Sequence, residues 1–260
     1  YFEIASNQIP ATIEKILDAA IRSGIPARDI QVLAPMYRGT AGIDAINQLM
    51  QELLNPLQKG QISFEASQFQ YRSGDKVIHL VNDAEVNVFN GDLGYITDLI
   101  PGKYTESKQD EIMIDFDGNE VVYPRNEWYK IRLAYAMSIH KSQGSEFPVV
   151  FLPITSASKR MLERNLIYTA ITRAKSKLIL LGELQAFDYA TKHIGTARKT
   201  YLIERFSDLT ESSEEVNEPI LEPTNQINPH QPYILTEDNW TSIPAMIGIS
   251  QDDLDEFFGK

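Results

Sequence analysis

The chain has 260 residues, 43% hydrophobic and 23% charged, and this ordinary globular composition excludes a wholly disordered, collagen-like or coiled-coil protein. It contains no cysteine, which excludes disulfide scaffolds, thiolate metal sites and cysteine nucleophiles. No apolar run approaches the roughly 18 residues of a membrane span, so we expect no membrane partner. The start, Tyr1-Phe2-Glu3, has no Met and no leader pattern, so we expect a cytoplasmic piece of a longer protein.

The net charge of −12 is unevenly distributed. Residues 208–260 hold 12 acidic side chains and one basic one, and residues 62–130 carry a net charge of −7. Residues 131–207, by contrast, hold 12 basic and 5 acidic side chains, a net charge of +7. The total therefore argues against a nucleic-acid partner, whereas the distribution leaves room for one beside a single segment.

Residues 1–60 read as the first part of an α/β domain. A helical pattern around residues 13–21 precedes a short apolar run at residues 30–35, which is typical of a buried parallel strand. Apolar residues then recur at helical spacing over residues 43–54, until Asn55-Pro56 ends the pattern.

Residues 61–130 show a period of two in short segments, among them residues 76–81 and 93–100. Asp117-Gly118 between alternating apolar residues predicts a tight hairpin. We interpret this segment as a small β-barrel inserted between the two parts of the α/β domain. Its aromatic residues Phe69, Tyr71 and Trp128 are expected in the barrel core rather than on a base-stacking surface.

The α/β pattern returns over residues 131–206. Strands are predicted at residues 133–137, 149–153 and 177–181, with a helix near residues 161–174, which together favour a parallel sheet. Residues 207–260 form an acidic linker and tail rich in Glu, Ser, Asn and Pro. The apolar stretch from Trp240 to Phe258 leaves open whether this tail packs on the domain, engages a protein partner or is simply a flexible terminus.

The sequence lacks a phosphate-binding loop of the form G-x-x-x-x-G-K-[ST], so we expect no ATP hydrolysis by this chain alone. Three segments still resemble part of a nucleotide site. Residues 139–147 follow a predicted strand and offer a polar loop with a phosphate-seeking lysine. Arg173 ends a predicted helix and is expected to face outward like an arginine finger, and Arg38 is expected at the same edge of the sheet.

Five pieces occur in an order that resembles the closing motifs of superfamily 1 DNA helicases, most closely the RecD-like branch related to the exodeoxyribonuclease V alpha subunit. They are Ala34-Pro35-Met36-Tyr37-Arg38-Gly39, Gly74-Asp75-Lys76-Val77, Phe89-Asn90-Gly91-Asp92, His140-Lys141-Ser142-Gln143-Gly144-Ser145-Glu146 and Tyr168-Thr169-Ala170-Ile171-Thr172-Arg173-Ala174-Lys175. The resemblance implies the second RecA-like (P-loop NTPase-type) domain of a helicase that moves 5′ to 3′ on single-stranded DNA, with an inserted SH3-like barrel. It implies ATP and Mg²⁺, bound mainly by a first RecA-like domain, and DNA repair or recombination as the setting.

The resemblance also implies roles for individual residues. Arg38 and Arg173 would contact the ATP γ-phosphate, and Gly144 and Glu146 would line the nucleotide side of the cleft. The residues that would contact DNA are His140, Lys141, Ser142, Lys76, Asn82 and Asn90. We expect no resident metal ligands in this chain.

Each of these assignments has a simpler alternative. Arg173 and Lys175 could be solvated cations at a helix end, and Glu146 a first-turn carboxylate. At the level of the whole protein, the alternatives are the alpha subunit of a multi-subunit exodeoxyribonuclease V, or a non-catalytic module that binds a repair protein.

Overall fold

The computed structural model describes residues 1–66 and 68–195, all within one compact unit. The predicted acidic tail, residues 207–260, lies outside them. The α-helices are Ile9–Arg22 (α1), Ile43–Leu54 (α2), Arg164–Ile171 (α3) and Leu184–Lys192 (α4). The strands are Phe2–Glu3 (β1), Ile30–Ala34 (β2), Ser63–Ala66 (β3), Phe69–Arg72 (β4), Lys76–His79 (β5), Leu93–Ile100 (β6), Glu111–Phe116 (β7), Asn119–Pro124 (β8), Ile131–Leu133 (β9), Ala136–Ser138 (β10), Phe147–Ile154 (β11) and Ala174–Gly182 (β12).

A five-stranded parallel sheet forms the first layer, in the order β1-β12-β11-β2-β10. All five residues of β2 are buried, as are seven of the eight in β11, because a strand with helices on both faces has no polar side. The predicted α/β class with a parallel sheet is confirmed.

Amphipathic helices cover this sheet. The buried side chains of α1 are Ile9, Ile13, Leu17 and Ala20, which recur every three or four residues and so share one face. The helix begins four residues before the predicted start, because Pro10 lies in its first turn, where a missing N–H costs nothing. No helix within residues 1–66 and 68–195 has the length and apolar character that crossing a membrane requires.

The second sheet is antiparallel, in the order β8-β7-β6-β5-β9, with the β3-β4 hairpin beside it. The predicted hairpin at Asp117-Gly118 is confirmed: both residues have positive φ, 54° and 91°, as a two-residue turn between twisted strands requires. Phe69, Tyr71 and Trp128 are buried as expected, and the Trp128 indole donates to the Tyr123 carbonyl at 3.0 Å.

The predicted strand over residues 133–137 is wrong, because the chain changes sheets within it. β9 pairs with β5 in the antiparallel sheet, and β10 pairs with β2 in the parallel one. Gln31 makes the break possible, since its buried side-chain amide donates to the carbonyls of Ala134 and Tyr135, both at 3.0 Å. The antiparallel sheet therefore includes residues 131–133.

A buried carboxylate ties the two sheets together. Asp75, fully buried just before β5, accepts hydrogen bonds from Gln51 Nε2 at 2.6 Å and Asn55 Nδ2 at 2.8 Å, both from the α2 region. It also accepts from the Tyr135 hydroxyl at 3.0 Å and the Arg72 main-chain N–H at 2.8 Å. Burial raises the pKa of Asp75, and these four hydrogen bonds oppose that rise.

Candidate nucleotide and nucleic-acid contacts

The loop of residues 139–146 connects opposite ends of the parallel sheet. It leaves β10 at Ser138, which is paired with Ala34 at the carboxyl end of β2. It enters β11 at Phe147, which is paired with Ala174 at the amino end of β12. Because neighbouring parallel strands share their direction, the loop begins at the carboxyl ends of the strands and finishes at their amino ends.

Hydrogen bonds within the loop fix its path. The Ser138 hydroxyl accepts from the Lys141 N–H at 3.3 Å, and Ser142 Oγ donates to the Ile139 carbonyl at 2.8 Å. The Ser145 N–H donates to the Ser142 carbonyl at 3.0 Å, closing a turn in which Gly144 has a φ of 88°. A glycine suits that place because the turn requires a left-handed residue there.

Three predicted DNA-contacting residues meet beside the carboxyl ends of β10 and β2. The Lys141 ammonium donates to the Asn90 side-chain carbonyl, which joins the loop to the antiparallel sheet. The Asn90 main-chain N–H donates in turn to Asn82 Oδ1 at 3.0 Å. His140 is exposed in the same turn. The structure thus brings Asn82, Asn90 and Lys141 together, with His140 adjacent.

Two other predicted DNA contacts are buried and need correction. Ser142 is fully buried, and its hydroxyl stabilises the loop instead of facing solvent. Lys76 is only 4% exposed, and its ammonium donates to Gln31 Oε1 at 2.9 Å. Burial lowers the pKa of Lys76 to about 8, because a charge removed from water is costly. Neither side chain reaches a surface where DNA could lie.

Arg173 lies at the other end of the loop, just before β12. Its guanidinium is partly buried and donates to three oxygen atoms: the Ser145 carbonyl at 3.0 Å, the Thr169 carbonyl at 3.1 Å and the Thr172 hydroxyl at 3.1 Å. Its own carbonyl accepts from the Phe147 N–H at 2.8 Å. The side chain is thus held against the loop, and is not the freely solvated cation of the simpler alternative.

Arg38 does not lie at the same edge as Arg173, so that expectation is wrong. Arg38 follows the carboxyl end of β2 and is exposed, whereas Arg173 precedes the amino end of β12. Val149 in β11 pairs with Ile30 at the start of β2 and with Lys177 near the start of β12, so the two strands begin at the same end of the sheet. Arg38 lies beyond the far end of β2, whereas Arg173 lies before the start of β12. Arg38 instead shares the end of the sheet that carries His140 and Lys141.

The two remaining predicted nucleotide-side residues lie at the Arg173 end. Gly144 is exposed, with nothing near the position that a Cβ would occupy. Glu146 is half exposed and forms an ion pair with Lys175 at 3.4 Å, the kind of surface pair that contributes little to stability. No group of three or more His, Cys, Asp or Glu side chains suited to a metal ion occurs in the part of the chain that the structure describes.

Two residues with a structural link to the site were not singled out from the sequence. The Thr172 hydroxyl accepts a hydrogen bond from Arg173. The Gln31 side chain accepts one from Lys76 and donates one to the Ala134 carbonyl, where the chain passes from one sheet to the other. The repeat of threonine at positions 169 and 172, just before the arginine, was the available signal for the first. Nothing in the sequence marked Gln31, because a polar residue in a buried strand is informative only once its partners are known.

Two family models match the chain. Residues 46–116 match an ATP-dependent RecD-like DNA helicase SH3 domain, and residues 133–181 match a UvrD-like helicase C-terminal domain. The first covers most of the antiparallel sheet, and the second covers the 139–146 loop, Arg173 and most of β12. The resemblance to RecD-like helicases found in the sequence motifs is confirmed.

The chain is also similar to individual proteins. The chain is 36% identical over 176 residues to the ATP-dependent RecD2 DNA helicase of Deinococcus radiodurans, covering 68% of this chain and 23% of that protein. It is 29% identical over 152 residues to the RecBCD enzyme subunit RecD of Mycolicibacterium smegmatis, covering 58% of this chain and 25% of that protein. A Pif1 helicase from Bacteroides, solved in complex with ADP-AlF3 and ssDNA, aligns with a TM-score of 0.42 and 19% identity over 70% of this chain and 45% of that one. The chain thus spans about a quarter of the length of the two curated relatives.

Proposed function

We propose that this chain, which carries a RecD-like SH3 domain and a UvrD-like helicase C-terminal domain, is the C-terminal motor part of an ATP-dependent DNA helicase. The whole protein would translocate 5′ to 3′ on single-stranded DNA in the cytoplasm. This chain would supply the arginine finger and part of the DNA grip. ATP and Mg²⁺ would be bound mainly by a phosphate-loop domain elsewhere in the protein, since the sequence here has no such loop.

The DNA grip would lie at the carboxyl ends of β10 and β2. His140, Lys141 and Arg38 place three exposed or partly exposed side chains there that can meet phosphates, and Asn82 and Asn90 add polar groups from the SH3-like sheet. The net charge of +7 over residues 131–207 suits contact with a polyanion. Lys76 and Ser142 are left out because they are buried, and Arg38 moves from the nucleotide to the DNA side.

The nucleotide contacts would lie at the opposite end of the loop. A guanidinium has five N–H donors, and three of those on Arg173 are used within the described residues, which leaves two for a γ-phosphate held by another domain. Gly144 and Glu146 border the same region. ATP would reach Arg173 only when the two motor domains close, which is how hydrolysis could drive movement.

One observation carries the proposal more than any other: a single loop of eight residues holds a DNA-side lysine near one end and the arginine finger at the other. Lys141 is bonded to Asn90, and the Ser145 carbonyl is bonded to Arg173. DNA occupancy and finger position would therefore be linked through the main chain of residues 142–145. A helicase needs such a link, because its ATP turnover has to respond to DNA.

The test uses the whole protein that contains this chain. We expect ATP turnover stimulated by single-stranded DNA, and unwinding of duplexes with a 5′ tail but not of those with a 3′ tail. Arg173→Ala should lower kcat by about 10³-fold with ATP binding retained, and Arg173→Lys should not restore it because lysine lacks the planar fork. Wild-type turnover in Arg173→Ala, or unwinding from 3′ tails alone, would contradict the proposal.

The DNA side is tested separately. Lys141→Ala and Arg38→Ala should weaken binding of single-stranded DNA, whereas Arg22→Ala should not. Arg22 is the matched control because it is an exposed cation on α1, paired with Asp18 and outside the proposed grip. Equal effects of all three substitutions would mean that only overall charge matters, and would remove this surface from the proposal.

A second candidate is the RecD subunit of a multi-subunit exonuclease, since several relatives carry that name. Purification of the natural protein separates the two: a stable complex with nuclease activity supports the second, and a helicase active alone supports the first. A protein that binds a repair partner through residues 62–130 or 208–260, with no dependence on DNA or ATP, would support the non-catalytic module instead.

A further inference from the structure

Within the described residues, three hydrogen bonds hold the Arg173 guanidinium, and one of them has a side-chain acceptor. The acceptors at Ser145 and Thr169 are main-chain carbonyls, which a substitution leaves in place. The third acceptor is the hydroxyl of Thr172, 3.1 Å from Arg173 Nη2. Thr172 is therefore the position at which the hold on Arg173 can be changed by changing a side chain.

The Thr172 hydroxyl is itself oriented by the end of α3. It lies 3.0 Å from the carbonyls of Tyr168 and Thr169, so its single proton is directed at the last turn of the helix. Because the hydroxyl proton is donated to these helix carbonyls, a lone pair on the same oxygen can accept from Arg173. The helix end thus sets the direction of the hydroxyl, and the hydroxyl sets the direction of the guanidinium.

We propose that Thr172 is a positioning residue for Arg173, which holds the guanidinium in place before ATP arrives and aims its two unused N–H groups at the domain cleft. This inference rests on the proposed arginine-finger role of Arg173. An arginine side chain has many rotamers, and fixing it in advance removes an ordering cost from the step in which the γ-phosphate is contacted. Such a role affects turnover more than nucleotide binding, because the finger acts on charge that develops in the transition state.

The experiment compares variants of the whole protein in ATP turnover stimulated by single-stranded DNA. Thr172→Val keeps the shape and removes the acceptor, and we expect kcat to fall about 10-fold with KM for ATP changed less than about 2-fold. Thr172→Ser keeps the hydroxyl and should restore most of the turnover. The matched control is Thr191→Val. The Thr191 hydroxyl also donates to a helix carbonyl, that of Asp188 at 3.0 Å, but Thr191 lies on α4 and is not among the acceptors of Arg173.

Further measurements separate positioning from folding and from the proposed function. If Thr172 acts through Arg173, adding Thr172→Val to Arg173→Ala should cause no further loss of kcat. A further loss, equal impairment in Thr172→Ser, unchanged kcat in Thr172→Val, or a melting temperature lowered by more than about 5 °C in Thr172→Val but not in Thr191→Val would overturn the inference. Wild-type turnover in Arg173→Ala would instead refute the finger role itself.

Discussion

Asp75 offers the sharpest test of how the SH3-like sheet is fixed to the parallel sheet. Replacement by alanine would remove the acceptor of four hydrogen bonds, which come from the side chains of Gln51, Asn55 and Tyr135 and from the main-chain N–H of Arg72. The amide groups of Gln51 and Asn55 would each keep one other acceptor, the carbonyls of Gln70 and Ser73. An unsatisfied buried donor costs about 1–3 kcal/mol. The four costs do not add fully, because water can enter the space left by the carboxylate and satisfy some of the donors.

We therefore expect Asp75→Ala to lower the free energy of unfolding by about 3–5 kcal/mol, because each unsatisfied donor costs about 1–3 kcal/mol and the costs add only in part. Asp75→Asn should cost less, about 1–3 kcal/mol, because the amide oxygen still accepts from some of the donors, whereas the NH2 group cannot accept from the others. Both variants are to be measured by urea unfolding at neutral pH, with the midpoint and the slope fitted separately.

The control is Asp18→Asn, which changes an exposed carboxylate paired with Arg22 and should alter the unfolding free energy by less than about 0.5 kcal/mol. A loss below about 1 kcal/mol in Asp75→Ala would refute the reasoning. It would mean that the four donors find other partners, and that Asp75 does not connect the sheets energetically.

Three further predictions concern single positions. The pKa of Lys76 is about 8 in the folded chain and 10.5 ordinarily, so the unfolded chain binds more protons between these two pH values. The free energy of unfolding should therefore rise with pH across that window, by up to about 3 kcal/mol. Lys76→Met should remove this rise, as measured by urea unfolding. Lys141→Ala should weaken binding of single-stranded DNA and reduce the slope of log K against log salt by about 0.7, and its combination with Asn90→Ala should be non-additive because the two side chains are bonded. Gly144→Ala should lower the free energy of unfolding by about 1–2 kcal/mol, since alanine disfavours a φ of 88°, and an unchanged urea midpoint would contradict this.

Local signals in the sequence predicted much of the fold. The apolar run at residues 30–35 and the Asp117-Gly118 turn each depend on a few neighbouring residues, and both appear in the structure close to the predicted positions. The switch between sheets at residues 133–136 could not be predicted in this way. Its cause is the contact of those residues with Gln31, more than 100 positions earlier in the chain.

The candidate site was predictable in composition but not in geometry. The motifs drew attention to residues 139–146 and to Arg173, which the structure places in contact. Lys76 was misjudged because a lysine in a strand is usually solvated, and its burial follows from contacts with Gln31 and Arg28 that the local sequence does not reveal. Arg38 was misplaced although the sequence held the information: Arg38 follows a predicted strand and Arg173 precedes one, and parallel strands place two such positions at opposite ends of the sheet.

The loop between β10 and β11 also sets a distance. Extending the strand pairing brings Ser138 level with Pro153, which is six residues beyond Phe147 in β11. Ser138 and Phe147 are therefore separated by about 20 Å along the strand direction, at about 3.3 Å per residue. The main chain from Ser138 to Phe147 would reach about 30 Å if fully extended, so the short helical turn and the tight turn within residues 139–146 take up the excess length. Losing a residue would therefore open one of these two turns before it shifted a strand, and it would disturb the main chain that carries Lys141 and Ser145.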